Sequence, residues 1–555
     1  MLAARLPRLG ARLGLRVSWG GGGGPVRTRQ LVTRSVSVLT AQPLRARLIA
    51  GFSRWRGRSR VLTLAAASVM LAVGLSAAPA AAATTSITLK PAAGPPTTKV
   101  TVTGAGFGAS ETVAVDFSTT QVATATTSAT GTFSATFRVP ASAPPGKHPV
   151  IATGQASGRS ATRDFLVRTN WAQFHFSQAN SGFNPYENVI SPASVPGLKL
   201  AWTNNSAGSI GSSPAVAGGV LYVGTQFNGL LAFNAAGSGC SGSPVTCKPL
   251  WTGTMPAQGA TSPAVAGGVV YTTAADGKLY AFRAAGCGAS ACAPLWTGTI
   301  SSNSQSAPTV AGGVVYVTSG SDLYAFRAAG CGSATCNPLW TGTDVYGITG
   351  GSAPAVSGKV VYVSAYKGVA AFNAAGCGSA TCNPLWTGPN LGGTTSSPAV
   401  AGGVVYVGVA LGLAAFRAAG CGASACNPLW TFSTGSEIVA SPAVAKGVVY
   451  VPDTSGSTLY ALSTTGTLLW TAASVDGFDS PAVANGVVYA AASGGALYAF
   501  RAVATAGCSG SPRVCAPLWT SPAGTSISYS SPAVVNGMVY VGQWTVFSQY
   551  LLAFK

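Results

Sequence analysis

Residues 262–282 read Ser-Pro-Ala-Val-Ala-Gly-Gly-Val-Val-Tyr-Thr-Thr-Ala-Ala-Asp-Gly-Lys-Leu-Tyr-Ala-Phe, and Pro294-Leu295-Trp296-Thr297 follow shortly after. Three short runs of β-branched, aromatic and small residues are separated by Gly-Gly and Asp-Gly pairs. Such pairs supply the positive φ that tight hairpin turns require. The run ending in Trp296 adds a fourth strand. Nothing in the stretch repeats with the 3.6-residue period of a helix, so it predicts four short antiparallel strands.

The stretch recurs. Its tryptophan returns as Trp202, Trp251, Trp296, Trp340, Trp386, Trp430, Trp470 and Trp519, at intervals of 40 to 49 residues. Three landmarks keep phase with it. A Ser/Ala-Pro pair opens each unit, at Pro214, Pro263, Pro308, Pro354, Pro398, Pro442, Pro481 and Pro532. A tyrosine closes the second run, at Tyr222, Tyr271, Tyr316, Tyr362, Tyr406, Tyr450, Tyr489 and Tyr540. The third run ends at Phe233, Phe282, Phe326, Phe372, Phe416, Leu462, Phe500 and Phe554. Four strands per unit of this length mark a β-propeller blade. The last unit stops at Lys555 without a fourth strand, while Leu198–Trp202 stands as an orphan fourth strand before the first. Joining them gives eight closed blades and leaves no free sheet edge between first and last.

The repeats resemble those of the pyrroloquinoline-quinone (PQQ) type propeller family. Asp276–Phe282 matches its third strand, and Thr465-Gly466-Thr467-Leu468-Leu469-Trp470 its turn into the tryptophan. The lead-in Trp171-Ala172-Gln173-Phe174, with Asn184-Pro185-Tyr186-Glu187, is similar to the entry of such propellers. The resemblance spans about residues 170–555. It implies an all-β, eight-bladed propeller of four-stranded blades in which the eight tryptophans dock between neighbouring blades.

All 12 cysteines fall in this array and pair off locally. Cys287/Cys292, Cys331/Cys336, Cys377/Cys382 and Cys421/Cys426 are close neighbours, and Cys240/Cys247 and Cys508/Cys515 are slightly wider pairs. Each lies between the phenylalanine and tryptophan strands. An even count and strict local pairing predict six disulfides, all on one face, in an oxidising compartment. Loops this short predict stiffened turns, not bonds that hold the fold together. Only the sixth unit keeps the short turn Thr464-Thr465-Gly466 without cysteine. Zinc would need four ligands per site, and the chain offers only His148 and His175 besides. No metal is expected.

The ends of the chain read differently. Residues 1–83 are expected to be a basic leader and signal peptide: 13 of the 32 basic residues precede residue 61, and no acid does. An apolar run from Val61 to about Ala77 follows, then small residues to Ala83, so cleavage is expected near Ala82 or Ala83. A retained anchor is the alternative. The formal charge of +21 falls to +8 without the segment, which argues against nucleic acid as a partner. Residues 84–168 carry Lys99-Val100-Thr101-Val102-Thr103, Thr103-Gly104-Ala105-Gly106-Phe107, Gly131-Thr132-Phe133 and Phe165-Leu166-Val167. They resemble small bacterial immunoglobulin-like domains, which implies a β-sandwich of seven short strands acting as spacer or adhesive module. Residues 169–555 form the propeller.

The family resemblance raises a quinoprotein dehydrogenase, with PQQ and calcium, as one reading. The adjacent cysteine pair of those enzymes is absent, and the chain holds only eight Asp and three Glu, where calcium takes six to eight oxygen ligands. Neither cofactor is expected. His148 and His175 read as surface or packing residues. Asp453, Asp476, Asp479 and Glu437 read as turn or surface carboxylates. Arg283, Arg327, Arg417 and Arg501, with Asn234 and Asn373 in the same place, read as a polar blade-edge position, although a ring of arginines could bind an anion. Gln543, Trp544 and Tyr529 break the repeat pattern and are candidate channel residues. The expectation is a monomeric, non-catalytic propeller, secreted or at the cell surface, that binds a protein or glycan. Its alternatives are the quinoprotein enzyme and an envelope-assembly scaffold.

Overall fold

The computed structural model describes residues 84–555 apart from 205–209, 302–304, 345–346, 474, 476, 493–494, 523–526, 528–529 and 544–549. The expected leader lies outside the described residues.

Residues 86–167 form a sandwich of two sheets. Ser86–Lys90, Lys99–Ala105 and Phe133–Arg138 make one; Ala93–Gly94, Ser160–Val167, Gly146–Gly154, Thr112–Phe117 and Thr120–Thr126 make the other. Strict alternation in Phe133–Arg138 buries Phe133, Ala135 and Phe137. They meet Val102, Phe117, Val150 and Phe165 in the core. The strand count exceeds the expected seven by the two-residue piece Ala93–Gly94.

Eight further sheets follow, one per blade. Blades 1 to 8 begin with the inner strands Ala215–Ala217, Ala264–Ala266, Thr309–Ala311, Ala355–Ser357, Ala399–Ala401, Ala443–Ala445, Ala482–Ala484 and Ala533–Val535. The turn into the second strand is Gly-Gly in four of the eight blades, with Gly267 and Gly268 at φ 56° and 79°. Blade 6 places Lys446 at φ 48° in the same position. The ring closes as the sequence predicts, two residues further on. Leu200–Asn204 pairs antiparallel with Leu551–Phe554, with a bulge between Leu200 and Trp202. Lys199 and Lys555 exchange both backbone hydrogen bonds at 2.9 Å.

Aromatic residues fill the seams between blades. Trp251 contacts Tyr222 of its own blade at 6.1 Å and Phe282 of the next at 6.4 Å. Trp296, Trp340, Trp386 and Trp470 repeat this geometry. Trp202 bridges Tyr540 and Phe233 across the closure, and Trp519 packs on Phe554. Each fully buried indole removes on the order of 200 Å² from water, a gross gain of roughly 5 kcal/mol. Hydroxyls add direction. Tyr222, Tyr271, Tyr316, Tyr362, Tyr450 and Tyr540 donate to Ala284, Ala328, Ala374, Ala418, Ala502 and Ala235 carbonyls of the following blade, at 2.7–2.9 Å. Burial pushes Tyr222, Tyr271 and Tyr316 up to about 12, so these groups stay protonated donors at physiological pH.

The six cysteine pairs are joined as disulfides, Cys240–Cys247, Cys287–Cys292, Cys331–Cys336, Cys377–Cys382, Cys421–Cys426 and Cys508–Cys515. Their loops do more than the sequence suggests. Each loop runs parallel to the outer strand of the preceding blade and clasps it. Thr252 donates its N–H to Ser290, Thr297 to Ala334, Thr341 to Ala380, Thr387 to Ser424, Thr471 to Arg513 and Thr203 to Val245, all at 2.8–2.9 Å.

Only one end of each bond lies at the surface. The first cysteines are exposed or half-buried. The second cysteines, Cys247, Cys292, Cys336, Cys382, Cys426 and Cys515, are only 1–6% exposed and belong to the hydrophobic core. They pack in the same seams as Trp202, Trp251, Trp296, Trp340, Trp386 and Trp470 respectively. The physical reason is the clasp itself. It lays the second cysteine beside the tryptophan of the preceding blade, where a small apolar sulfur gains more from burial than from water. Among the described residues, two blade junctions lack the clasp. At the junction of blades 7 and 8 the segment before the closing strand roofs Trp519, whose indole donates to Leu198 at 3.2 Å. The other is the junction of blades 5 and 6.

Candidate functional site

The strand order places the functional surface. In every blade the inner strand leaves the face that carries its Ser/Ala-Pro pair. The turn after it and the cysteine loop between third and outer strands therefore lie on the opposite face. The immunoglobulin-like sandwich meets that second face through Asn188 of the lead-in, which donates to Ala141 and Ala143 at 3.2 and 2.9 Å, and the chain leaving the sandwich is pinned to blade 8 by two hydrogen bonds between the Thr169 backbone and the Asn536 side chain.

The lead-in closes the channel from within. Backbone of Trp171 exchanges hydrogen bonds with Val216 of blade 1 at 2.7–2.8 Å. Val265 of blade 2 donates to Ala172, and Val310 of blade 3 to the Gln173 side chain. Val356 donates to Gln178, Val400 to Ala179, Val444 to Ser181 and Val483 to Gly182, at 2.6–2.8 Å. Asn184 finally donates to the Val534 carbonyl of blade 8 at 2.9 Å. One short segment thus bonds to the inner strand of all eight blades in chain order. Its tight path needs left-handed backbone at His175, Phe176, Asn180 and Gly182.

What remains is a blind funnel of about 340 Å³ on the Ser-Pro face. Phe174 forms part of its floor, stacked on His175 at 4.6 Å. Burial holds His175 down at about 4 against the weaker opposing bonds to the Asn180 and Ser480 backbone. The wall is the ring of residues before each proline. Ser213 donates its N–H to Ser262 Oγ, Ser397 to Ser441, Ser441 to Ser480, Ser480 to Ser531 and Ser531 to Ser213, at 2.7–3.0 Å. Ala353 donates likewise to Ser397. The relay is interrupted at Ala307 and Ala353, which have no hydroxyl. Gln226, Gln305, Thr261, Phe478 and the buried Asp479 complete the lining, which includes no lysine or arginine among the described residues.

Other singled-out residues lie elsewhere. Asp453 is buried and ties a turn, accepting from Thr458 N–H at 3.0 Å and Tyr460 hydroxyl at 3.3 Å. Glu437 is exposed and Gln543 buried, while Asp476, Tyr529 and Trp544 lie outside the described residues. Arg283, Arg327 and Arg417 are exposed and Arg501 half-buried, at third-strand ends on the face away from the funnel. Asn234 and Asn373 there accept from the following turn. His148 stacks on Phe117 in the sandwich at 5.0 Å. Among the described residues no three His, Cys, Asp or Glu gather as a metal site would need. The serine relay and the lead-in path were missed by sequence reasoning. The Ser-Pro landmark carried the first signal; the entry motifs Trp171–Phe174 and Asn184–Glu187 mark the lead-in but not its path.

Comparison with known proteins agrees with this architecture. The family described as outer membrane protein assembly factor BamB matches residues 198–288 and 426–545. The macroglobulin-like domain family matches residues 82–167. The chain carries PQQ-type propeller repeats behind an immunoglobulin-like domain of macroglobulin-like type. Among solved structures, quinohemoprotein alcohol dehydrogenase from Comamonas testosteroni is 14% identical, over 69% of this chain and 80% of that one, with a TM-score of 0.51. A europium-containing methanol dehydrogenase is 12% identical, over 69% of this chain and 98% of that one, with a TM-score of 0.51. BamB from Moraxella catarrhalis is 12% identical, over 64% of this chain and 97% of that one, with a TM-score of 0.47. The likeness to the two dehydrogenases, at this identity, shows the fold alone. Curated protein sequences give no match. The disulfides are consistent with an extracytoplasmic protein, and no described helix is long and apolar enough to cross a membrane.

Proposed function

We propose that the protein is a non-catalytic binding propeller, secreted or at the cell surface, whose funnel takes a neutral, hydroxyl-rich ligand such as the end of a glycan chain. One observation carries the reading: the funnel is lined by serine, threonine and glutamine, with Phe174 and Phe478 as apolar platforms and Asp479 as its carboxylate. Concave sites with a few convergent polar groups bind by orientation and stacking. The immunoglobulin-like domain on the opposite face would leave the funnel free, as a spacer does.

The second reading is a quinoprotein dehydrogenase, favoured by the fold shared with a quinohemoprotein alcohol dehydrogenase and a europium-containing methanol dehydrogenase. PQQ is a tricarboxylate that works with calcium. The described funnel lining offers no cationic side chain and a single carboxylate, so it does not fit that group, and no chemical step is derived through it.

Calorimetric titration of the protein with neutral oligosaccharides tests the leading reading. Saturable binding, weakened by Phe478→Ala and by Gln226→Ala, is expected. Both residues are exposed rim positions whose loss leaves the serine relay intact. Affinity unchanged by both variants would place the ligand elsewhere.

A further inference from the structure

Six outer strands are clasped by the cysteine loop of the following blade, and the outer strand of blade 5, Trp430–Ser433, is not. Blade 6 supplies only the short turn at Thr464–Gly466. Thr431, whose sister threonines all donate to a clasp, is exposed and has no such bond among the described residues. Trp430 is half-buried, whereas the other repeat tryptophans are 8% exposed or less. Among the described residues, Tyr406 also lacks the hydroxyl bond that Tyr222, Tyr271, Tyr316 and Tyr362 make to the next blade.

The space left is a groove of about 770 Å³, lined by Tyr406, Trp430, Leu429, Val444, Lys446 and Thr465. Deeper in the seam the sequence compensates for the changed blade. Phe432 replaces the usual glycine and packs against Tyr460 at 5.6 Å, where blade 6 has Leu462 in place of phenylalanine. At the outer rim the short turn still takes the Trp430 indole N–H, which donates to the Thr464 carbonyl at 3.0 Å, but it lays no strand along Trp430–Ser433. There Lys446 stands where most sisters have glycine, exposed and without an ion pair among the described residues.

We propose that this edge is a β-augmentation site for an extended segment of a partner polypeptide, which replaces the missing clasp. An open strand edge offers its backbone N–H and C=O groups to an added strand. The sister clasps define the occupant's chemistry. It runs parallel to Trp430–Ser433 and exchanges hydrogen bonds with Thr431. It places a small apolar residue against Trp430, as Cys292 lies beside Trp251. A strand parallel to Trp430–Ser433 enters from the face that carries Lys446, so an acidic side chain upstream of the paired residues complements that charge. The site continues the belt of clasps that already binds neighbouring blades.

The test uses the full chain and a fluorescein-labelled, end-blocked peptide, Asp-Gly-Ser-Ala-Thr-Ala-Asn, patterned on the clasp at Gly332–Asn337. Fluorescence anisotropy is expected to show saturable binding that a proline in place of the peptide threonine abolishes. Lys446→Gly, which restores the sister residue, is expected to weaken binding about fivefold and to remove most of its salt dependence. Replacing Thr464–Leu468 by the loop Ala374–Pro384 fills the edge from within and is expected to weaken binding at least about tenfold. No saturable binding up to millimolar peptide overturns the proposal, as does equal affinity for the loop graft, or for Lys446→Gly if the graft does not fold. Sedimentation showing a parent dimer that the graft converts to monomer also overturns it, in favour of a second copy of this chain.

Discussion

Acid should loosen the channel plug through one histidine. His175 sits in the lead-in, 2% exposed, with Nδ1 3.3 Å from the Asn180 carbonyl. Burial lowers it from 6.5 to about 4. The unfolded chain therefore binds a proton at a higher pH than the folded one does. Stability is complete above the unfolded value and falls as pH drops from about 6.5 towards 4. At one pKa unit per 1.36 kcal/mol, the loss by pH 4.5 is about 2.5 kcal/mol. The perturbation is His175→Gln, which keeps a polar group but cannot take up the proton. Differential scanning calorimetry of both proteins from pH 7.5 to 4.5 is the assay. The parent should lose more stability than the variant, with the gap opening below pH 6.5. Parallel pH curves would refute the reasoning, because they would mean that the imidazole is hydrated or paired in both states. The same titration followed by proteolysis should expose the lead-in, since its eight-blade hydrogen bonding is what holds it in place.

Three further outcomes follow from the seams. Replacing Cys287 and Cys292 by alanine should cost about 2 kcal/mol for a loop of this length, read by chemical denaturation, and should raise hydrogen exchange at Thr252, which belongs to the other blade. Tyr271→Phe removes the 2.7 Å bond to Ala328 and should cost about 1–2 kcal/mol, because the buried carbonyl loses its donor. Gly286→Ala should destabilise by more than about 1 kcal/mol. Gly286 has φ 76°, and an added Cβ would lie 2.7 Å from the Trp251 ring.

The fold was largely legible because propeller blades repeat. Four landmarks in phase gave eight units, and the unpaired strand near Trp202 gave the closure. The pairing register moved to Leu200–Asn204 because a bulge at Ala201 shifts the strand, which no residue pattern marks. The cysteine pairs were legible from spacing. Their clasping of the previous blade was not, nor was the burial of Cys247, Cys292, Cys336, Cys382, Cys426 and Cys515 that it brings about. That contact is parallel and non-local, between Thr297 and Thr335 for example, and leaves no periodic trace in either segment. The funnel was half legible. The Ser-Pro pairs marked each unit, yet their role as a circumferential relay depends on the closed ring bringing Ser531 beside Ser213. The lead-in was legible as a propeller entry, on Trp171–Phe174 and Asn184–Glu187, but its path was not. Its path is set by one or more hydrogen bonds to each blade and by left-handed turns at His175 and Asn180, not by hydrophobic alternation.

A funnel that binds without catalysing should have no use for a quinone. The decisive experiment loads the full chain with PQQ and calcium, removes the excess, and measures both retained quinone absorbance and dye-linked alcohol oxidation. No stoichiometric quinone and no turnover above that of the free cofactor are expected. Tight one-to-one quinone retention with alcohol-dependent dye reduction would contradict the binding role.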